Sequence, residues 1–427
     1  MADDSSFLSD DLIRQLISVG EVDLLVGIPS HNNAENIVHT VEAVEESFQS
    51  AFPRQRVVII DVDMGSNDGT PEAFLKPVTR KGASARGLTS LRTEHRVVAR
   101  CENAAPATAL RTIVATADLL RARACAVISA ATSNLTPEWV GNLLQPLYRQ
   151  DFDLVTPLYS RQRFEGLLAR ILLYPMTRSV FGKRIREIHS TEFGFSGRLA
   201  TNCTNLDLWH EPAIQDLPQT SLTLTAITSD YRCCQSFLGP KLRPSAGHAP
   251  DIVTAVRQAV GALFWSIDAN ESYWMGRLGS EAVTTFGPDH EFTDETIPVN
   301  LDRTFELFRS GVEELSPILK TIMAADTYAE IQKLASLDER NLCFDNALWA
   351  KTLYDFAASY HHSLLNRDHL VQALVPLYRG KIYSFFLQHA ASSSAEIEAD
   401  SENLCLEFER QKSDFSERWK LRSEVTT

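Results

Sequence analysis

The sequence predicts an α/β domain with a mostly parallel sheet, followed by an all-helical C-terminal domain. Up to residue 160, short apolar runs of strand character alternate with segments of helical spacing, which is the pattern of a mostly parallel sheet. From residue 285 onward, apolar residues recur only at helical spacing. We therefore expect two domains, an α/β domain over residues 1–284 and a helical domain over residues 285–427.

The elements of the first domain follow from caps and apolar runs. Ser9 can cap a first helix that Gly20 can end. The expected strands lie at residues 22–28, 56–60, 124–128 and 153–157, and the expected helices at 34–49, 71–75, 107–120 and 137–148. Ligands of such sheets bind beyond the carboxyl ends of the strands. The candidate binding loops are therefore 29–33, 61–68, 129–134 and 156–163.

Helical spacing also defines the C-terminal domain. The expected helices are residues 302–310, 315–325, 345–361, 368–378 and 401–412. One of them carries the stripe Phe344, Leu348, Thr352, Phe356 and Tyr360. We interpret such a stripe as packing within the core or between domains rather than as a ligand site.

Composition excludes several classes of function. The apolar content of 44% and charged content of 22% are ordinary for a globular protein. The net charge of −14 argues against a main role in binding nucleic acid or an anionic membrane. The seven cysteines include no Cys-x-x-Cys pair and fit a reducing compartment. Without a secretory signal or an apolar span of about 18 residues, the expected location is cytoplasmic.

Two loops carry candidate nucleotide contacts. Asp63 and Asp68 lie in the polar turn after the second strand, where a carboxylate could accept hydrogen bonds from a base or ribose. The alternative is a turn that starts a helix, which the same residue types favour. The segment at 29–33, which begins with Pro29, ends the first strand, and Ser30 or His31 could reach a nucleotide. The alternative is a strand-to-helix turn that Asn32 or Asn33 caps.

The segment at 188–197 is expected to be a loop before a helix. Glu192 is its only carboxylate and could orient a sugar or an acceptor. The alternative is a glycine-rich turn whose aromatic residues, Phe193 and Phe195, pack below it.

The densest basic cluster lies between residues 161 and 186. An anionic ligand needs such charges, whereas a solvated face is the alternative for each single residue. The cluster consists of Arg161, Arg163, Arg178, Lys183, Arg184 and Arg186.

Several phrases together resemble the GT-A-fold glycosyltransferases, in particular the glucosylglycerate and mannosylglycerate synthases and their cell-wall glycosyltransferase-like relatives. The resemblance covers nearly the whole chain and implies a Rossmann-like, mostly parallel sheet. It rests on LVGIPS at 25–30, GSNDGT at 65–70, TPEW at 136–139, VTPLYS at 155–160, FGFSG at 193–197, CQSFLG at 234–239 and LWAKTLYDF at 348–356.

The resemblance implies transfer of a hexose from a nucleoside-diphosphate sugar, with Mg²⁺ or Mn²⁺ on the diphosphate. The residues that would hold that metal and diphosphate differ in this chain. The departures are Ser129-Ala130-Ala131 in place of Asp-x-Asp, Ala105-Pro106-Ala107 in place of Gly-Lys-Gly, Ser190-Thr191-Glu192 in place of Gly-Gly-Asp, Gln219 near an expected Asp, and Arg243 in place of a metal histidine. We therefore predict no metal ligand and no cofactor.

Two interpretations stay open. In the first, the chain transfers a hexose to a small hydroxy acid or saccharide, and a basic residue replaces the metal as the diphosphate clamp. The predicted catalytic residues are then Glu192 and Arg243, and the predicted donor contacts are Pro29, Ser30, Asp63, Asp68, Ser129, Arg161 and Lys183. In the second, the chain is a catalytically inactive binding or regulatory partner, paired with an active homologue or another copy. Neither interpretation involves nucleic acid or an integral membrane segment.

Overall fold

The computed structural model describes residues 7–77, 94–101, 105–242, 251–288, 301–363 and 365–421. These residues form two compact units, each assembled from separate stretches of the chain. The first unit lies within residues 1–160, 187–249 and 283–290, and the second within 161–186, 250–282 and 291–427. A single domain boundary between residues 284 and 285 stays a prediction.

The strands that the structure describes differ in length from those expected. Several run two or three residues further toward the carboxyl end, which brings candidate site residues into the strands themselves. They are β1 (Leu24–Ser30), β2 (Val57–Asp63), β3 (Glu94–Arg100), β4 (Ala124–Val127), β5 (Leu154–Ser160), β6 (Lys183–Arg184), β7 (Phe193–Ser196), β8 (Cys233–Pro240), β9 (Glu281–Ala282) and β10 (Thr284–Phe286).

The helices follow the predicted order, with further helices that the sequence did not indicate. They are α1 (Asp10–Val19), α2 (Ile37–Ala51), α3 (Thr70–Leu75), α4 (Pro106–Leu119), α5 (Pro137–Gln150), α6 (Tyr174–Phe181), α7 (Gly197–Thr204), α8 (Pro218–Thr228), α9 (Ile252–Ala269), α10 (Glu271–Trp274), α11 (Leu301–Glu314), α12 (Ser316–Ile322), α13 (Ala325–Ala335), α14 (Asn346–His361), α15 (Arg367–His389) and α16 (Ser394–Leu421).

The sheet of the first unit has the order β10-β8-β5-β7-β4-β1-β2-β3 across its described strands. Each neighbouring pair is parallel except for β7, which runs antiparallel between β4 and β5. The predicted α/β class is therefore confirmed: the sheet is mostly parallel, and the C-terminal region is formed by helices α11–α16. The carboxyl ends of the parallel strands lie at one edge of this sheet.

Among the strands that were not predicted, β3 and β7 each have a local reason. Strand β3 lies at the edge of the sheet, and only Val97 and Ala99 of it are buried. Its other residues are mostly polar or basic, so the sequence lacks the apolar run that would predict a strand. The segment at 188–197, expected to be a loop, contains β7. Gly194 lies within β7, and a Cβ at this position would come within 2.8 Å of Leu143 O. This glycine therefore allows a helix to pack closely on the strand and does not form a turn.

The N-terminal helix confirms its predicted caps. Ser9 Oγ accepts a hydrogen bond from Leu12 N at 3.3 Å, and Gly20 ends the helix with a positive φ of 74°. One face of the sheet packs under α2 and α5, where Val44, Phe48 and Leu143 are fully buried. This packing fixes the loops at the carboxyl edge.

The second unit has an aromatic core. Trp274 stacks on Phe415 with ring centroids 5.2 Å apart, and the indole of Trp349 donates a 2.6 Å hydrogen bond to Ile171 O. Phe344 and Phe356 of the predicted stripe are fully buried, which confirms its packing role. None of the helices within the described ranges combines the length and the apolar run needed to cross a bilayer.

Candidate functional site

The loops after β1 and β2 are hydrogen-bonded to each other at the carboxyl edge. Asn33 N donates to Thr70 Oγ1 at 2.8 Å, and Ala34 N donates to Asp68 Oδ2 at 2.9 Å. Asp68 Oδ1 also accepts from Thr70 N at 3.0 Å, although the residue is solvent-exposed. Asp68 therefore acts as a turn residue, which favours the structural alternative for this carboxylate.

Ser30 is committed to a contact inside the protein. Its hydroxyl donates a 2.6 Å hydrogen bond to Asp61 Oδ1, and both residues are buried. Burial raises the pKa of Asp61 to about 7 despite the hydrogen bond from Ser30, and the charge of Asp63 adds to the rise. Within the described residues, Asp61 Oδ2 has no hydrogen-bond partner. Sequence reasoning did not single out Asp61, whose only signal is a carboxylate that directly follows the apolar run of β2.

Asp63 borders a cavity of about 430 Å³ beyond the ends of β2 and β3. The carboxylate accepts from Ser66 N at 3.2 and 3.3 Å and is only 3% exposed. Asn67, Arg100 and Cys101 line the same cavity. This combination of a carboxylate, an amide and a guanidinium suits a polar ligand such as a nucleoside.

Glu192 is the centre of a buried polar network. Its Oε1 accepts from Thr132 Oγ1 at 2.6 Å and from Thr191 Oγ1 at 3.0 Å. Its Oε2 accepts from Tyr159 OH at 2.7 Å and from Lys241 Nζ at 2.5 Å. The carboxylate itself is 0% exposed, whereas the Lys241 side chain is 25% exposed. We call Thr132, Tyr159, Thr191, Glu192 and Lys241 the Glu192 network.

Charge pairing decides the protonation of this network. Burial on its own would raise the pKa of Glu192, but the Lys241 ammonium and the hydrogen bonds of Lys241, Thr132 and Tyr159 lower it to about 2. Burial and the nearby Glu192 charge raise the pKa of Tyr159 well above its ordinary value. Glu192 is therefore a carboxylate, Tyr159 is a neutral donor and Lys241 is the compensating cation.

The sheet topology brings these residues together from distant parts of the sequence. Thr132 follows β4, Tyr159 lies near the end of β5 and Lys241 follows β8. Glu192 directly precedes β7, and because β7 is antiparallel its first residues reach the carboxyl edge of the others. Gln219 on α8 supports this segment by donating to His189 O at 2.9 Å.

The loop after β4 does not fit a divalent metal ion. Ser129 is half-buried and accepts from Ala131 N at 3.2 Å, and Thr132 donates to Glu192. Hard cations prefer carboxylate oxygens, and the carboxylate that this loop contacts among the described residues is held by Lys241. Across the described ranges there is no group of three or more His, Cys, Asp or Glu residues suited to a metal.

The structure describes only some of the basic residues predicted as a diphosphate clamp. Arg243 lies outside the described residues, and Arg161 and Lys183 belong to the second unit. Lys183 forms an ion pair with Glu281. Arg178 is fully buried and pairs with Glu402 and Glu409, while Arg186 pairs with Glu398. Much of the basic cluster therefore stabilises the second unit through ion pairs.

Comparison with known proteins gives similarity to solved structures. No protein-family model matches the chain, and no curated protein does so. Glucosyl-3-phosphoglycerate synthase from Mycobacterium tuberculosis, in complex with Mn²⁺, UDP and phosphoglyceric acid, is 14% identical over 60% of this chain and 81% of that chain, with a TM-score of 0.41. The complex of that enzyme with phosphoglyceric acid is 15% identical over 61% of this chain and 84% of that chain, with a TM-score of 0.42.

Proposed function

We propose that this chain is a glycosyltransferase-like protein that binds a nucleoside-diphosphate sugar without a divalent metal and does not turn it over. The proposal rests on the observation that side chains of the protein itself occupy both carboxylate oxygens of Glu192. This residue is the one carboxylate that the resemblance retains among the expected metal and sugar contacts. A binding or regulatory role is the function that its geometry supports best.

Glu192 has no capacity left for a ligand. A carboxylate offers about four lone-pair sites, and four side-chain donors within 3.0 Å already occupy them. A pKa of about 2 also makes Glu192 a poor general base near neutral pH. These two properties argue against roles in metal binding, sugar orientation and proton transfer.

A cavity at the carboxyl edge supports the binding of a nucleoside. The cavity beside Asp63 lies at the carboxyl ends of β2 and β3, where ligands of such sheets bind. Asp63 can accept hydrogen bonds from ribose hydroxyls or base N–H groups, and the lining also contains Arg100, which pairs with Glu72 of the same cavity at 3.4 Å. Pro29 and Ser30 shape the adjacent strand end, although the Ser30 hydroxyl is already used by Asp61.

One observation favours metal-free hexosyl transfer as a second candidate. Lys241 places a positive charge at the edge where the diphosphate leaving group would need stabilisation. In that reaction the bond between the sugar C1 and the phosphate oxygen breaks and a bond from C1 to an acceptor hydroxyl oxygen forms. The acceptor proton would need a base other than Glu192.

Calorimetric titration tests both candidates with UDP-glucose and GDP-mannose, each with Mn²⁺ and with a chelator. We expect equal binding in both conditions, weakened by Asp63→Asn but not by the exposed control Glu46→Gln. A parallel assay of donor hydrolysis and of transfer to glycerate should detect no product. Binding that requires Mn²⁺, or no binding at all, would overturn the proposal, and metal-free product formation would establish the second candidate.

A further inference from the structure

We propose that Lys241 is the residue that contacts the diphosphate of the bound nucleotide, in the place that a divalent cation would otherwise take. This inference rests on the proposed function, because it requires a nucleotide at the carboxyl edge. It goes further by naming a single cation, outside the predicted basic cluster, that distinguishes a nucleoside diphosphate from a nucleoside.

Lys241 has an unused hydrogen-bond donor. Its ammonium carries three N–H groups, and two contacts are present, to Glu192 Oε2 at 2.5 Å and to Thr191 Oγ1 at 3.1 Å. Within the described residues the third N–H has no acceptor. The Lys241 side chain is 25% exposed whereas Glu192 is fully buried, so the lysine is the member of this pair that has surface open to an incoming anion.

The ammonium is also held in place before any ligand arrives. The Tyr159 ring lies below it, with the ring centroid 5.1 Å from Nζ, in addition to the two hydrogen bonds. A lysine fixed in this way loses little side-chain entropy on binding a phosphate. Lysine is well suited to this contact because it binds phosphate as a point charge.

Lys241 lies near the loop where the resemblance expects the metal carboxylates, because both contact Glu192. Thr132 ends the loop where the resemblance expects metal carboxylates, and Thr132 and Lys241 bind the two oxygens of the same Glu192 carboxylate. The Glu192 carboxylate therefore lies between the Lys241 ammonium and the loop after β4. Because Glu192 already balances Lys241, we expect a moderate contribution to affinity, about 10- to 100-fold, from one charge-assisted hydrogen bond.

The test compares UDP with uridine by calorimetry in the presence of a chelator. We expect Lys241→Met to lower the UDP-to-uridine affinity ratio by about 10- to 100-fold, and Lys241→Arg to retain most of that ratio. Lys76→Met, which removes an exposed lysine of the same unit, should leave it unchanged. The double variant Lys241→Met/Glu192→Gln should show the same fall in the UDP-to-uridine affinity ratio. Because it lacks the Glu192 charge, its fall cannot come from repulsion between an unpaired Glu192 and the diphosphate.

A measurement on the unmodified protein avoids any folding defect of the variants. Limited acetylation followed by peptide mass spectrometry should show that UDP protects Lys241 and not Lys76, and that uridine protects neither. If UDP and uridine bind but give equal acetylation of Lys241 and the double variant keeps the wild-type ratio, the inference fails while the proposed function stands. If the wild-type chain binds neither compound, both fail.

Discussion

Thr132 Oγ1 donates a 2.6 Å hydrogen bond to Glu192 Oε1, and this contact joins the loop after β4 to the segment before β7. The two residues are 60 positions apart in the sequence and both are buried. Where the resemblance implies a loop that binds a metal, this chain has a loop that contributes a hydroxyl to a buried ion pair. The contact should therefore contribute to folding stability.

Thr132→Val tests that contribution. Valine keeps the shape of threonine but removes the donor, so we expect the free energy of unfolding to fall by about 1.5–3 kcal/mol, the range for a hydrogen bond to a charged group. Urea denaturation should show a lower midpoint with an unchanged slope. Thr132→Ser keeps the hydroxyl and serves as the control. A Val variant that unfolds at the wild-type midpoint would show that the contact is energetically neutral.

The Glu192–Lys241 pair predicts a loss of stability in acid. The folded-state pKa of Glu192 is about 2, below its ordinary value of 4.5, so the carboxylate contributes stability that is present above 4.5 and lost as the pH falls toward 2. The difference corresponds to about 3 kcal/mol. Urea denaturation across this range should show a steeper decline for the wild-type chain than for Glu192→Gln. Parallel profiles would mean that the pair does not depress this pKa.

The sequence predicts more of the fold than of the site, for a physical reason. Strands β1, β2, β4 and β5 are nearly continuous apolar runs between polar turns, so local composition reveals them. Glu192 also stands out as a single carboxylate. Its partners do not, because Tyr159 and Lys241 reach it only through the strand order of the sheet, from 33 and 49 positions away.

The choice of cation illustrates the same limit. The resemblance pointed to Arg243, which lies outside the described residues and stays a prediction, whereas among the described residues Lys241, two positions earlier, pairs with Glu192. The end of β8 at Pro240 and the pairing of β8 with β5 decide which residue reaches the carboxylate. No local pattern in the sequence records that register.

Removing the buried cation Arg178 should lower the stability of the second unit. Its side chain is 0% exposed and pairs with Glu402 at 2.6 Å and with Glu409 at 2.8 Å. Arg178→Met leaves these carboxylates without their cation, so we expect a loss of about 3–5 kcal/mol in stability. Thermal and urea unfolding measure the loss. Arg178→Met/Glu402→Gln/Glu409→Gln should recover part of it.

The same variant tests the interpretation of the basic cluster. If Arg178 belongs to an ion-pair network and not to a diphosphate clamp, UDP affinity of the folded Arg178→Met protein should equal that of the wild type. The measurement is calorimetry at a temperature well below the variant's unfolding midpoint. A large drop in affinity without a drop in stability would return Arg178 to the ligand site.

Asp61 predicts a stability change of the opposite sign with pH. Its folded-state pKa is about 7, above the ordinary value of 3.8, so the folded state binds the proton more tightly and loses stability as the pH rises from 3.8 through 7. The difference corresponds to at most about 4 kcal/mol.

Asp61→Asn mimics the neutral acid and can still accept from Ser30, but its amide N–H₂ replaces an oxygen that has no partner among the described residues. An unpaired buried donor costs about 1–3 kcal/mol, so we expect a small net gain above pH 7 and a net loss in acid. The two pH profiles of unfolding free energy should therefore cross, and profiles that stay parallel would show that Asp61 titrates normally.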